Sequence, residues 1–170
     1  MMKCWSLLAA LLLMGTAAMA QEPTHKVENV QLRGLDGSKQ SLPMFGQKHL
    51  MIFYVDPDRH KQNEAFTYEL EESRRASSDE ILGFGVLNLK DTMLPSGIVR
   101  TMARKRTEKN GALVLADEER TLATEWGLGD CNNFFTLIFV TKEGEIAFLR
   151  KGELTEEDKQ EFYRVLDQYR

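Results

Sequence analysis

Four short runs dominated by apolar residues mark this chain, at 50–55, 81–89, 112–116 and 134–140. The first, LMIFYV, has no polar position on either face, the pattern of a strand buried on both sides of a sheet. A weaker strand precedes it at 27–32, where Val27, Val30 and Leu32 are apolar and Gly34-Leu35-Asp36-Gly37 supplies a turn. The last run leads through Lys142-Glu143-Gly144 into a strand at 145–149, which predicts a hairpin at the edge of the central sheet. Helical spacing fills the gaps. Asn63 stands where it caps a helix reaching about Arg75, with Phe66 and Leu70 on one face. Pro95-Ser96-Gly97 opens a second helix that Asn110-Gly111 stops, and 121–126 makes a third. Thr155-x-x-Asp158 starts the last, whose apolar face is Phe162, Val165, Leu166 and Tyr169. The order β, β, α, β, α, β, α, β, β, α predicts a largely parallel sheet covered by helices on both faces, with an antiparallel pair at its end. No internal repeat, low-complexity stretch or second-domain linker interrupts it.

The first twenty residues do not belong to that pattern. One charge, Lys3, precedes an apolar core from Trp5 to Met14, and Ala18-x-Ala20 satisfies the small-x-small cleavage rule. The core is shorter than the roughly 20 residues a membrane-spanning helix needs. Residues 1–20 therefore read as a cleaved signal peptide and 21–170 as a single exported domain, with a periplasmic location expected. No cysteine follows the core, so a lipid anchor is not expected either. Lys3 leaves with the leader, and the net charge of −4 becomes −5. Such a chain offers no electrostatic footprint for nucleic acid. Its one basic run, Arg100, Arg104, Lys105, Arg106 and Lys109, reads first as a solvated helix face. Cys4 also leaves with the leader. The remaining Cys131 cannot form an internal disulfide, and alone it cannot carry out dithiol exchange.

Several segments then resemble known proteins. Leu35-Asp36-Gly37-Ser38-Lys39-Gln40-Ser41-Leu42, followed by Phe45-Gly46 and the strand 50–54, looks like the lead-in of the thioredoxin-like superfamily in its peroxiredoxin-type elaboration. Trp126-Gly127-Leu128, the strand 135–140 and Glu143-Gly144-Glu145-Ile146 look like its finish. More narrowly, Asn88-x-x-Asp91-x-x-x-Pro95-x-Gly97 with Arg100, Ala116-Asp117, Lys142-x-Gly144-x-Ile146, and Gly152 with Leu154-Thr155 resemble the YtfJ-type family of small exported bacterial proteins. The similarity spans most of 27–170. It implies a thioredoxin-like α/β fold, a central mixed sheet with helices on both faces, and an exported location, but little chemistry, because that family's function is uncharacterised. It also implies where the superfamily's redox centre would fall. The two cysteines would stand near Asp58 and Lys61, and the cis-proline near Phe135. Neither device is present, and a carboxylate cannot replace a thiolate as a sulfur nucleophile.

The loop Asp56-Pro57-Asp58-Arg59-His60-Lys61 has three readings. The plainest is a polar strand-to-helix connection, with Asp58 or Asn63 capping the following helix. A second is a binding site at the carboxyl end of the central strand, where open α/β sheets place ligands. Asp56, Asp58 and His60 would then be candidate ligands for a divalent cation, although three residues of one loop seldom complete a coordination shell. The third is an enzyme: the Asp56-x-Asp58 pair resembles the nucleophile motif of haloacid dehalogenase-like phosphatases, with His60 a departure from that motif. Cys131 reads as an inert thiol whose pKa neighbouring Asp130 raises; the alternative is one-cysteine redox chemistry. His25 and His49 are expected at the surface, Trp126, Phe134, Phe135 and Phe139 in the core. Pro95-Ser96-Gly97 with Arg100 is read first as a capped helix start and second as an anion-binding turn. Taken together, these residues read as a binding or interaction module without a cofactor. Its rim comprises Asp56, Asp58, His60, Lys61, Ser96, Gly97, Arg100 and Cys131, and its partner is a periplasmic protein or a small ligand.

Overall fold

The computed structural model describes residues 25–170 except 74 and 76; the signal peptide expected at 1–20 lies outside the described residues. Seven strands form one sheet: β1 (Gln31–Gly34), β2 (Lys39–Ser41), β3 (His49–Val55), β4 (Ile81–Asn88), β5 (Val114–Asp117), β6 (Phe135–Val140) and β7 (Ile146–Lys151). They lie in the order β2-β1-β5-β4-β3-β6-β7. Four helices connect and cover them: α1 (Glu64–Glu72), α2 (Ser96–Asn110), α3 (Thr121–Glu125) and α4 (Glu156–Gln168). No helix among the described residues is long and apolar enough to cross a membrane.

The sheet is mixed rather than largely parallel. Only β3–β4 and β4–β5 pair in parallel, through right-sized helical crossovers. β6 inserts beside β3 with antiparallel register, Tyr54 opposite Thr136, and β1 closes the other side against β5. The continuous apolar run proves central: Leu50, Met51 and Ile52 are all buried, because β3 has a strand on each side and a core on each face. One core gathers Leu50, Ile52, Phe84, Val86, Leu115 and Ile138 under α3 and Trp126. The other sets Met51, Phe135 and Phe139 against Phe66 and Leu70 of α1 and Phe162 and Leu166 of α4. α2 is held more lightly, through Val99 on Leu89 and Ala116.

Several expectations need correction. The first strand runs from Gln31, not Val27; Lys26 makes only an isolated bridge to Glu145, and Val27 is pinned through its amide to Gly144 O at 2.7 Å. That approach needs a glycine, since a Cβ on Gly144 would lie 2.7 Å from Val27 O. β2 has no apolar residue and so no hydrophobic signal; it forms because the turn after Gly34 folds it back on β1 as a polar edge. His49 is buried, not superficial, with its ring 4.8 Å from that of Tyr169 and 6.0 Å from that of Phe139. Phe134 is 37% exposed, whereas Trp126, Phe135 and Phe139 pack in the core as expected. α2 starts after Pro95 and stops at Gly111 (φ 70°) as expected, although no side chain caps its start; the reciprocal Thr155–Asp158 cap on α4 is observed.

Candidate functional site

β3 delivers the chain into the loop at the carboxyl end of the sheet. Pro57 fixes the first residue of a 3₁₀ turn over Pro57–Arg59, and Asp56 caps it, accepting the Asp58 amide at 2.9 Å. Asp56 thus caps this turn, and α1 has no side-chain cap, so neither Asp58 nor Asn63 plays the capping part expected of it. Asp56 is 0% exposed, and its second oxygen accepts the Asn133 amide at 2.7 Å. Its own amide donates to Phe134 O. A carboxylate buried this way, with both oxygens engaged by the backbone, cannot attack an external phosphorus or lend itself to a metal.

The polar residues that follow act as braces between distant segments. Gln62 Oε1 accepts the Phe135 amide at 2.8 Å. Asn63 adopts a left-handed conformation (φ 61°) at the start of α1 and makes no cap. Its side chain instead donates to Gly152 O and accepts from the Leu154 amide, joining α1 to the segment after β7. Asp58 is exposed but not free: Thr92 Oγ1 donates to one oxygen at 3.0 Å and the Met93 amide to the other at 2.9 Å. His60 Nδ1 donates to Pro57 O at 2.9 Å, leaving Nε2 for an external group. Together Asp58, Arg59, His60, Lys61, Gln62, Asn63 and Glu153 line a shallow depression of about 380 Å³.

The structure brings part of the expected rim together. Because Asp58 grips Thr92 and Met93, Ser96 and Gly97 at the start of α2 lie only a few residues along the chain from the depression's edge. Arg100 turns away: its guanidinium donates to Glu118 at 2.5 Å, beside Arg33. Cys131 is 3% exposed, so it does not belong to an accessible rim. Burial pushes its thiol up; Asp130, the cause anticipated from sequence, is minor beside it, and Lys151 opposes both. Lys151 Nζ also donates to Leu128 O and Asp130 O, pinning the loop that carries Cys131.

Beneath that loop lies a polar cluster that sequence reasoning missed. Tyr54 OH donates to Asp117 at 3.3 Å, and burial drives its phenol far above the ordinary tyrosine range. Asp117 caps α3 by accepting the Thr121 and Leu122 amides. Asn88 donates to Asp91 at 2.6 Å, and Arg120 pairs with the same carboxylate. The Asn88-x-x-Asp91 spacing and the strand-terminal Asp117 were the signals available for it. Among the described residues, no three His, Cys, Asp or Glu side chains are grouped to hold a metal ion.

No family model and no curated protein sequence matches this chain. Its likeness lies in solved structures. An exposed lipoprotein thioredoxin of Streptococcus pneumoniae superposes with a TM-score of 0.62 at 18% identity, covering 83% of this chain and 99% of its own. A DsbF homologue from Corynebacterium diphtheriae gives 0.63 at 17%, covering 84% and 85%. A peroxiredoxin-like protein from Aquifex aeolicus gives 0.57 at 12%, covering 84% and 86%. The fold is therefore thioredoxin-like, a mixed central sheet with helices on both sides.

Proposed function

We propose that this chain is an exported, YtfJ-type thioredoxin-fold protein that serves as a periplasmic binding or interaction module and performs no thiol–disulfide exchange. The observation that carries the reading is the β3–α1 junction. Where a dithiol pair would stand, the chain has Asp58 and Lys61, and Asp56 beside them is a buried brace rather than a reactive group. The only cysteine in 21–170, Cys131, is a buried thiol with a raised pKa, the wrong environment for a nucleophile. What remains accessible at that end is a polar depression edged by Asp58, His60 and Lys61, with Ser96 and Gly97 nearby. The reading assigns it no cofactor.

A turnover assay on a protein disulfide substrate tests this. Activity no higher than that of Cys131→Ser supports the reading, and activity above it overturns it. Intact mass of the protein recovered from the periplasm tests the export step, the expected species beginning at Gln21.

A further inference from the structure

α2 is the least embedded helix of the fold, and its outer face is not that of a simple solvated helix. Ile98 and Met102 stand one turn apart and are 52% and 59% exposed. Met93, 92% exposed, and Leu94 precede them in the loop that Asp58 grips through both carboxylate oxygens. The fold thus holds in place an apolar surface that it does not itself bury. The same stripe continues at i+7 and i+11 with Lys105 and Lys109, both exposed, about 16 Å along the axis from Ile98. Arg104, Lys105 and Lys109 meet no carboxylate among the described residues, and Arg106 meets the Tyr68 ring at 5.9 Å. Arg100 alone of the helix's cations is ion-paired, with Glu118.

We infer that the outer face of α2 docks an acidic segment of a partner protein, one whose apolar side chains cover Met93, Leu94, Ile98 and Met102 and whose carboxylates meet Lys105, Arg106 and Lys109. This rests on the binding-module reading and names the partner's chemistry. Charge complementarity selects an acidic occupant: the chain is net −4, yet it concentrates unpaired cations here. The arrangement favours a protein segment over an anionic bilayer. Apolar and basic groups are segregated along the helix axis, so the occupant must be apolar at one end and acidic at the other. An interfacial helix instead spreads its cations along the whole length of its polar face. Two thioethers at the apolar end adapt readily to a partner's side chains.

The test uses isotope-labelled exported protein and a short synthetic peptide with two leucines one helical turn apart, followed by a run of glutamates. Shift perturbations confined to 93–109 are expected. Affinity should fall about tenfold in the double variant Lys105→Glu/Lys109→Glu, and similarly in Ile98→Ser/Met102→Ser, with Met44→Ser unchanged. These side chains are exposed, so the variants keep the fold, and an unchanged amide spectrum away from α2 verifies it. The inference is overturned if the peptide does not bind, if a version with lysines for glutamates binds equally well, or if the perturbations fall on Asp58–Asn63. Binding to phosphatidylglycerol vesicles without binding to the peptide would overturn it in favour of a membrane. Turnover in the disulfide assay removes the underlying reading, whereas failure of the peptide in a chain without turnover removes this inference alone.

Discussion

Asp56 and Asn133, 77 residues apart, are joined by a 2.7 Å bond from the Asn133 amide to a carboxylate that is fully buried. That bond fixes the loop before β6 against the end of β3. With the Asp58 amide on its other oxygen, Asp56 ties that loop to the 3₁₀ turn that edges the candidate site. Asp56→Ala would remove the buried carboxylate that accepts two part-buried amides and should cost about 3 kcal/mol. Urea denaturation gives this directly, and a loss below about 1 kcal/mol would show that water replaces the carboxylate at no cost.

Asp58 has a different, local part. Its two bonds to Thr92 and Met93 are at the surface, where each contributes little to global stability. Asp58→Ala should leave the unfolding free energy from urea denaturation within about 0.5–1 kcal/mol of the parent. It should accelerate hydrogen exchange at the Met93 amide, because the loop before α2 loses its anchor. Unchanged exchange at Met93 would mean that the loop holds its shape without Asp58.

Cys131 should be nearly silent to thiol reagents in the native protein. Burial both shields the sulfur and raises its pKa above the ordinary 9.0. Labelling at pH 8 should be at least about a hundredfold slower than in urea, since only the locally open fraction reacts. A folded-state pKa above the unfolded one also means that stability is full below pH 9.0 and declines above it, as the unfolded thiol ionises first.

His49 makes stability depend on pH on the acid side. Burial lowers its pKa below 6.5, and Nδ1 accepts the Lys142 amide at 3.2 Å, which requires that nitrogen to be unprotonated. The unfolded state binds its proton first as pH falls. The stabilisation is complete above pH 6.5 and is lost progressively down to the depressed folded value. The urea midpoint should fall between pH 7 and pH 5, and His49→Phe should flatten that slope. An equal slope in the variant would assign the dependence to other groups.

Much of the fold was legible because each strand and helix announces itself locally. The run at 50–55 could only be a doubly buried strand, Gly111 could only end a helix, and Thr155 with Asp158 forms its cap within one turn. β2 was not legible: Lys39, Gln40 and Ser41 carry no apolar signal, and their strand exists only because β1 lies alongside. The candidate site was half legible. The polar residues Asp56 to Asn63 were identifiable as a loop at the end of a buried strand. Their roles were not, since Gln62 and Asn63 find their partners at Phe135, Gly152 and Leu154. His49 shows the same limit, because the aromatic rings that bury it come from β6 and from just beyond the end of α4.

By itself the sequence determined the order of elements, which stretches must be buried, and that no dithiol stands at the end of β3. These follow from periodicity and residue identity, which act over a few positions. Only the tertiary structure decided that β6 inserts antiparallel beside β3, that Asp56 is a brace and Asp58 a loop anchor, that Cys131 is sealed, and that the outer face of α2 is left uncovered. Those depend on contacts between residues tens of positions apart, whose geometry is set when the chain closes its sheet and not before.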